Sequence, residues 1–144
     1  MTGDAALWAG ARAFLAALAD SLRAKQGSDP RLAAYITAIE AQGTDHIQSG
    51  PEPFRDHPAL DHLEPLLVGA TGPLAEAARV AAPLLNWKPV FSGGGIDPAL
   101  AEGLFAAQIV GTYGTFPSHR TAIGMFLLAP GLDYPLHSHE AEEI

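Results

Sequence analysis

Up to about residue 86 the apolar residues of this chain recur every three or four positions; beyond it they fall in short runs bracketed by glycine and proline. That change of period limits the fold more than any other feature. A repeat of three to four builds helices that bury one stripe, whereas short apolar runs between turn residues build strands. A chain carrying both in series is expected to be α+β, helical over 1–86 and β over 87–144.

Leu7, Ala11, Phe14, Leu15, Leu18 and Leu22 form one helical stripe, with Thr2 or Asp4 as its cap and Gln26–Pro30 as its end. Asp29 and Pro30 then open a second helix, because a capping carboxylate followed by proline suits a first turn. Its apolar face is Leu32, Tyr35, Ile36 and Ile39, and Gly43 stops it. Residues 44–58 are polar and proline-rich and read as a loop. Leu60, Leu63, Leu66 and Leu67 predict a short helix interrupted at Pro65, and Pro73 opens another that buries Leu74, Ala77, Val80, Ala81, Leu84 and Leu85.

From Trp87 the pattern is extended. Trp87–Phe91 reads as a strand, and Ser92–Gly95 with Ile96–Pro98 as a turn. Leu104–Thr112 carries an apolar run that fits a buried strand or a buried helix; its bracketing by Gly103 and Gly111 favours a strand. Thr121–Pro130 is a further strand, closed by the turn dipeptide Pro130–Gly131. Asp133–His139 is extended again, since proline biases its predecessor away from helix.

Composition narrows the function. The 144 residues carry a formal net charge of −8, and the eight basic residues are scattered. Neither nucleic acid nor an anionic membrane surface is an expected partner, because both need clustered Lys and Arg. The chain has no cysteine, which removes disulfides and thiolate chemistry and fits a cytoplasmic location. Asp4, Arg12 and Asp20 interrupt the apolar N-terminus, so it reads as neither signal peptide nor membrane span.

Three potential metal ligands stand close together near the C-terminal end: His137, His139 and Glu143. On a strand, residues two apart share a face, so the imidazoles can converge on one ion, and a turn lets the carboxylate join them. Imidazole and carboxylate together suit Zn, Fe, Mn, Ni or Co better than Mg or Ca, with a further ligand from elsewhere. Residue types alone leave open both a metal site and a pair of solvated surface histidines. Asp56, His57 and His62 read as a helix cap and solvated histidines, and Ser92–Gly95 lacks the lysine of a phosphate loop. Ser118–His119 lacks a nucleophile elbow.

The flanks carry more. Gly131, His137, His139 and Glu143 have the spacing of the first cupin motif, and "APGLDYPLHSHEAEEI" resembles the cupin-type dimethylsulfoniopropionate lyases, with a Tyr-Pro pair before the histidines and Ala-Glu-Glu after them. The resemblance implies a helical region leading into a double-stranded β-helix barrel, only partly present here. It implies a divalent transition metal held by His137, His139 and Glu143, and Tyr134 as a residue that holds substrate or assists proton transfer. The family's usual basic tyrosine and last histidine ligand would lie past Ile144. The expectation is therefore a fragment of a longer protein, inactive alone unless another copy supplies strands; a homodimer is one such arrangement.

The implied reaction is β-elimination from dimethylsulfoniopropionate to dimethyl sulfide and acrylate. A cationic sulfonium calls for an aromatic face, for which Tyr134, Trp87, Tyr113 and Phe126 are candidates. Trp87 and Phe126 fit core positions better than substrate contacts, because aromatic side chains dominate cores. Another metal-dependent cupin enzyme, a dioxygenase or isomerase, and a non-catalytic small-molecule-binding cupin are the alternatives.

Overall fold

A computed structural model describes residues 3–42, 57–91, 94–134 and 143–144. Helix α1 spans Gly3–Lys25, with Asp4 in its first turn and Arg23 and Lys25 in its last, the polarity that a helix dipole favours. It is long and apolar enough to cross a membrane by length and composition. Its stripe of Ala11, Phe14, Leu15 and Ala19 is instead buried in the hydrophobic core. Leu7, Trp8, Leu18 and Leu22 lie partly buried around it.

Helix α2, Leu32–Glu40, buries Leu32, Ile36 and Ile39. Asp29 caps the turn before it: one carboxylate oxygen accepts the Arg31 amide at 3.1 Å and the Arg31 Nε at 2.9 Å, and the other accepts a terminal guanidinium nitrogen at 2.7 Å. These side-chain and then backbone bonds from Arg31 hold the Asp29 carboxyl below the usual carboxylate range. Arg23 ties the two helices by pairing with Asp20 on its own helix and Glu40 on α2. The loop expected over 44–58 and the stop at Gly43 lie largely outside the described residues.

A 3-10 turn, Pro58–His62, runs straight into α3, Leu63–Gly69. Pro65 does not interrupt this helix. It stands in the first turn, where a backbone N–H has no intrahelical acceptor to lose. The far end of α3 is held by Arg79, whose guanidinium donates to the carbonyls of Leu67 and Ala70. Helix α4, Pro73–Ala81, starts after Gly72, whose φ of 98° suits glycine.

The buried face of α4 is Ala78 and Ala81, and Val80 is 57% exposed rather than interior. The reason is close approach: a Cβ on Gly10 of α1 would lie 3.3 Å from both Ala81 Cα and Val80 Cγ1. Small residues let the two helix backbones meet, which leaves the larger valine at the rim.

Strand β1 is Trp87–Pro89, β2 is Leu104–Gly111, β3 is Phe116–Pro117 and β4 is Ile123–Leu128. Among the described residues every pairing of the sheet involves β2, which is antiparallel to β1 and β4 and parallel to the short β3. Gln108 pairs with Gly124 and Val110 with Ile123, so Ile109 is the extra residue of a bulge. The turn expected before β2 contains a helix, α5, Pro98–Gly103. Asp97 accepts the Ala99 amide at 3.1 Å and Pro98 opens the first turn, the capping logic already seen before α2.

The sheet has two unlike faces. Trp87, Phe105, Ala107, Ile109 and Leu127 join the α1 stripe in one cluster, and the bulge brings Val110 into it too. Across the strands, Lys88, Ala106 and Phe126 stand in one row on the opposite face, and Phe126 is 66% exposed. The architecture is thus α+β, a layer of helices on one side of a small mixed sheet.

Two substitutions test this division. Phe105→Ala removes a ring with 0% exposure and is expected to cost about 3–5 kcal/mol, whereas Phe126→Ala should stay within about 0.5 kcal/mol. Gly10→Val forces a branched side chain between α1 and α4, with an expected cost of about 1–3 kcal/mol. Urea unfolding measured by circular dichroism reads all three.

Candidate active site

The segment that carries the lyase-like motif leaves the sheet at the end of β4. The Ala129 amide donates to the Gly103 carbonyl at 2.8 Å, extending the β2–β4 ladder by one bond. The chain then turns at Pro130–Gly131, where Gly131 takes a φ of 79°, a left-handed conformation that glycine adopts without strain. Leu132 packs back against Gly103: a Cβ there would lie 2.2 Å from Leu132 Cδ1. Gly103 therefore makes room for the chain that leads to the motif, besides ending α5.

Beyond Leu132 the described chain reaches Tyr134, which is 42% exposed. His137 and His139 lie outside the described residues, as do Glu140 and Glu142. Glu143 is described and exposed. Among the described residues no three His, Asp or Glu side chains stand close enough together to hold a metal ion.

The aromatic candidates separate by location. Trp87 is 3% exposed, and its indole N–H donates to the Ala82 carbonyl at 2.8 Å. It lies in the hydrophobic cluster under the helix layer, where a buried indole with its one donor satisfied is a packing group. Tyr113 is 42% exposed, and the Lys88 ammonium lies 4.4 Å from its ring centroid. The Tyr113 amide donates to Gln108 Oε1 at 3.3 Å, which folds the turn after β2 back toward that strand. Phe126 shares the open face with Lys88. His119 is exposed beyond β3. Ser118 Oγ accepts the amides of Arg120 and Thr121 at 3.3 and 3.1 Å, so that hydroxyl shapes a turn.

One histidine has a larger part than the solvated role read for it. His57 Nδ1 accepts the Ala59 amide at 3.1 Å and caps the 3-10 turn. An acceptor at Nδ1 places the proton on Nε2, which lies 2.9 Å from Glu102 Oε2 and donates to it. The ring also stands 4.6 Å from the Phe105 ring at an interplanar angle of 46°. His57 thus ties residues 57–62 to α5 and β2. Both nitrogens are engaged, so the imidazole serves as a clasp and is not poised as a base. The cap expected of Asp56 lies outside the described residues, and on the Ala59 amide the acceptor is His57. Its signal was present as His57–Pro58, a capping residue before a first-turn proline, but the partner Glu102 is 45 residues away and leaves no local trace.

A family profile described as dimethylsulfoniopropionate lyase matches residues 30–144, well over half of the chain. No curated protein and no solved structure matches.

The clasp makes a specific forecast. His57→Ala should lose about 1 kcal/mol through the cap, and His57→Asn, which can still accept the Ala59 amide, should recover most of that loss. A double-mutant cycle with Glu102→Gln should show a coupling of about 0.2–1 kcal/mol, since the Glu102 side chain is largely exposed. Urea midpoints of the wild type, the three single variants and the double variant decide both points.

Proposed function

The chain belongs to the dimethylsulfoniopropionate lyase family, and from that membership we propose that it cleaves dimethylsulfoniopropionate to dimethyl sulfide and acrylate by metal-dependent β-elimination. The match over residues 30–144 carries this reading. The balance of the reaction is simple. A base takes a proton from the carbon next to the carboxylate, and that C–H pair becomes the new C=C bond. The carbon–sulfur bond breaks, and its electron pair leaves on sulfur as a neutral thioether. No acid is needed for the leaving group.

The proton is hard to remove because the neighbouring carboxylate is already anionic. Two imidazoles and a carboxylate, from His137, His139 and Glu143, form a donor set that suits Zn, Fe, Mn, Ni or Co. When bound, such an ion draws charge out of the substrate carboxylate and favours the developing enediolate. Tyr134 is the proposed partner in proton transfer. Its phenol stands three residues before His137, on the chain that Gly131 and the Leu132–Gly103 contact steer away from β4. Aromatic rings serve the sulfonium, because a ring face attracts a cation without neutralising it.

The finer fold reading belongs here too. We propose that β1, β2 and β4 form part of a cupin-type double-stranded β-helix. The antiparallel ladders about β2 and the strand-then-turn approach to the motif support that reading. The absence of cysteine supports a cytoplasmic setting.

Acrylate formation and bound metal, measured on the same preparations, test the proposal. The full-length wild-type protein should form acrylate and retain a divalent metal by elemental analysis. His139→Ala should lose the metal, and unchanged metal content would remove the ligand assignment. Tyr134→Phe should keep the metal and lower kcat about 100-fold, the usual scale for a lost proton-transfer group. Protein that holds metal and forms no acrylate sinks the lyase reading.

A further inference from the structure

The turn that leads to the motif rests on one residue from another part of the chain. Gly103 ends α5, and Leu104, 1% exposed, begins β2 directly after it, so the Gly103 backbone is held from both sides. Its carbonyl accepts the Ala129 amide at 2.8 Å. A Cβ at Gly103 would lie 3.2 Å from Ala129 Cβ and would overlap Leu132 Cδ1. Ala129 and Leu132 flank the Pro130–Gly131 turn, so both sides of that turn sit where Gly103 has no side chain. Among the described glycines, Gly103 alone meets the chain that leads to Tyr134.

The two neighbours answer an added methyl group differently. Ala129 Cβ is attached to the backbone and has no rotamer to change, and the amide bond to Gly103 holds that backbone close. Leu132 is partly buried and has a side chain that turns. A methyl at residue 103 is therefore relieved by Leu132 leaving its seat, and the chain after the turn moves with it. Tyr134 follows two residues later. Two residues span at most about 7 Å, and Pro135 restricts the backbone of Tyr134, so little soft torsion separates the seat from the phenol.

We infer that Gly103 is a positioning residue for the proposed elimination: its bare backbone seats Leu132 and thereby sets where the Tyr134 phenol stands. This rests on the proposed role of Tyr134 in proton transfer. Gly103 touches no reacting atom and acts through Leu132 and Tyr134. Proton transfer needs its heavy atoms within hydrogen-bond reach, and a remote change that misplaces a group by about 1 Å can slow a reaction about 100-fold. The loss on filling the seat therefore falls on kcat rather than on KM.

A one-carbon exchange in the full-length protein tests the seat. Gly103→Ala adds a carbon on one side of the contact. Leu132→Val removes one from the other side and keeps an atom at the Cγ position, 3.5 Å from a Cβ at residue 103. Gly103→Ala should lower kcat about tenfold or more with KM within about threefold, and the pair should return kcat to within about threefold of wild type. In a Tyr134→Phe background Gly103→Ala should slow the reaction little further, because the residue through which it acts is gone. A second readout needs no turnover. In protein labelled with 13C-tyrosine, the Tyr134 ring resonance should shift in Gly103→Ala and return in the pair, while those of Tyr35 and Tyr113 stay in place. An unmoved Tyr134 resonance, movement of all three together, or an equal kcat loss with and without the Tyr134 phenol overturns the inference. Wild-type protein that holds metal and forms no acrylate overturns the lyase reading, and the Tyr134 resonance still decides the seat.

Discussion

Burial of the helix-facing side of β2 is the constraint on which the rest of the structure depends. Phe105, Ile109 and Val110 are fully buried there, and each neighbouring strand hydrogen-bonds to β2 rather than to another neighbour. The helix layer can cover that side closely because α1 and α4 meet through Gly10 and Ala81. Apolar burial and a tight helix crossing are thus parts of one arrangement: remove the small residues, and the stripe of α1 no longer seats over the sheet. Phe105 links this core to the His57 clasp, so the segment after residue 56 is anchored to the same strand.

Periodicity was enough to locate α1, α2 and α4, the strands Trp87–Pro89, Leu104–Gly111 and Ile123–Leu128, and the turn at Pro130–Gly131. Each of these rests on local patterns: a repeating stripe, a cap followed by proline, or an apolar run between turn residues. The misplaced features depend on position within an element or on distant partners. Pro65 looked like a breaker until its place in the first turn of α3 was known. Val80 looked interior because it is apolar and in phase, but helix contact at Gly10 selects alanine for the inner face. Asp97–Pro98 carried the same capping signal as Asp29–Pro30 and was read only as a turn, since the helix it opens is just six residues long.

The candidate site was legible in a different way. The proposal of His137, His139 and Glu143 as ligands rests on spacing and flanking residues alone, and the two histidines lie outside the described residues. Tyr134 and the turn before it follow from the same stretch. Lys88 and Gln108 carry no motif at all. Their grouping with Tyr113 arises from strand register and from a turn folding back over the sheet, neither of which a linear pattern encodes.

The bulge at Ile109 has a consequence for how this chain can change in length. Strand alternation means that gaining or losing one residue usually exchanges the inward and outward sets beyond that point. At a bulge the exchange has already occurred once, and the neighbouring strand has adapted to it. Insertions and deletions are therefore not equivalent along β2: the stretch around Ile109 is where the chain can shed a residue and rejoin a regular ladder, while the same change near Phe105 would turn the interior outward.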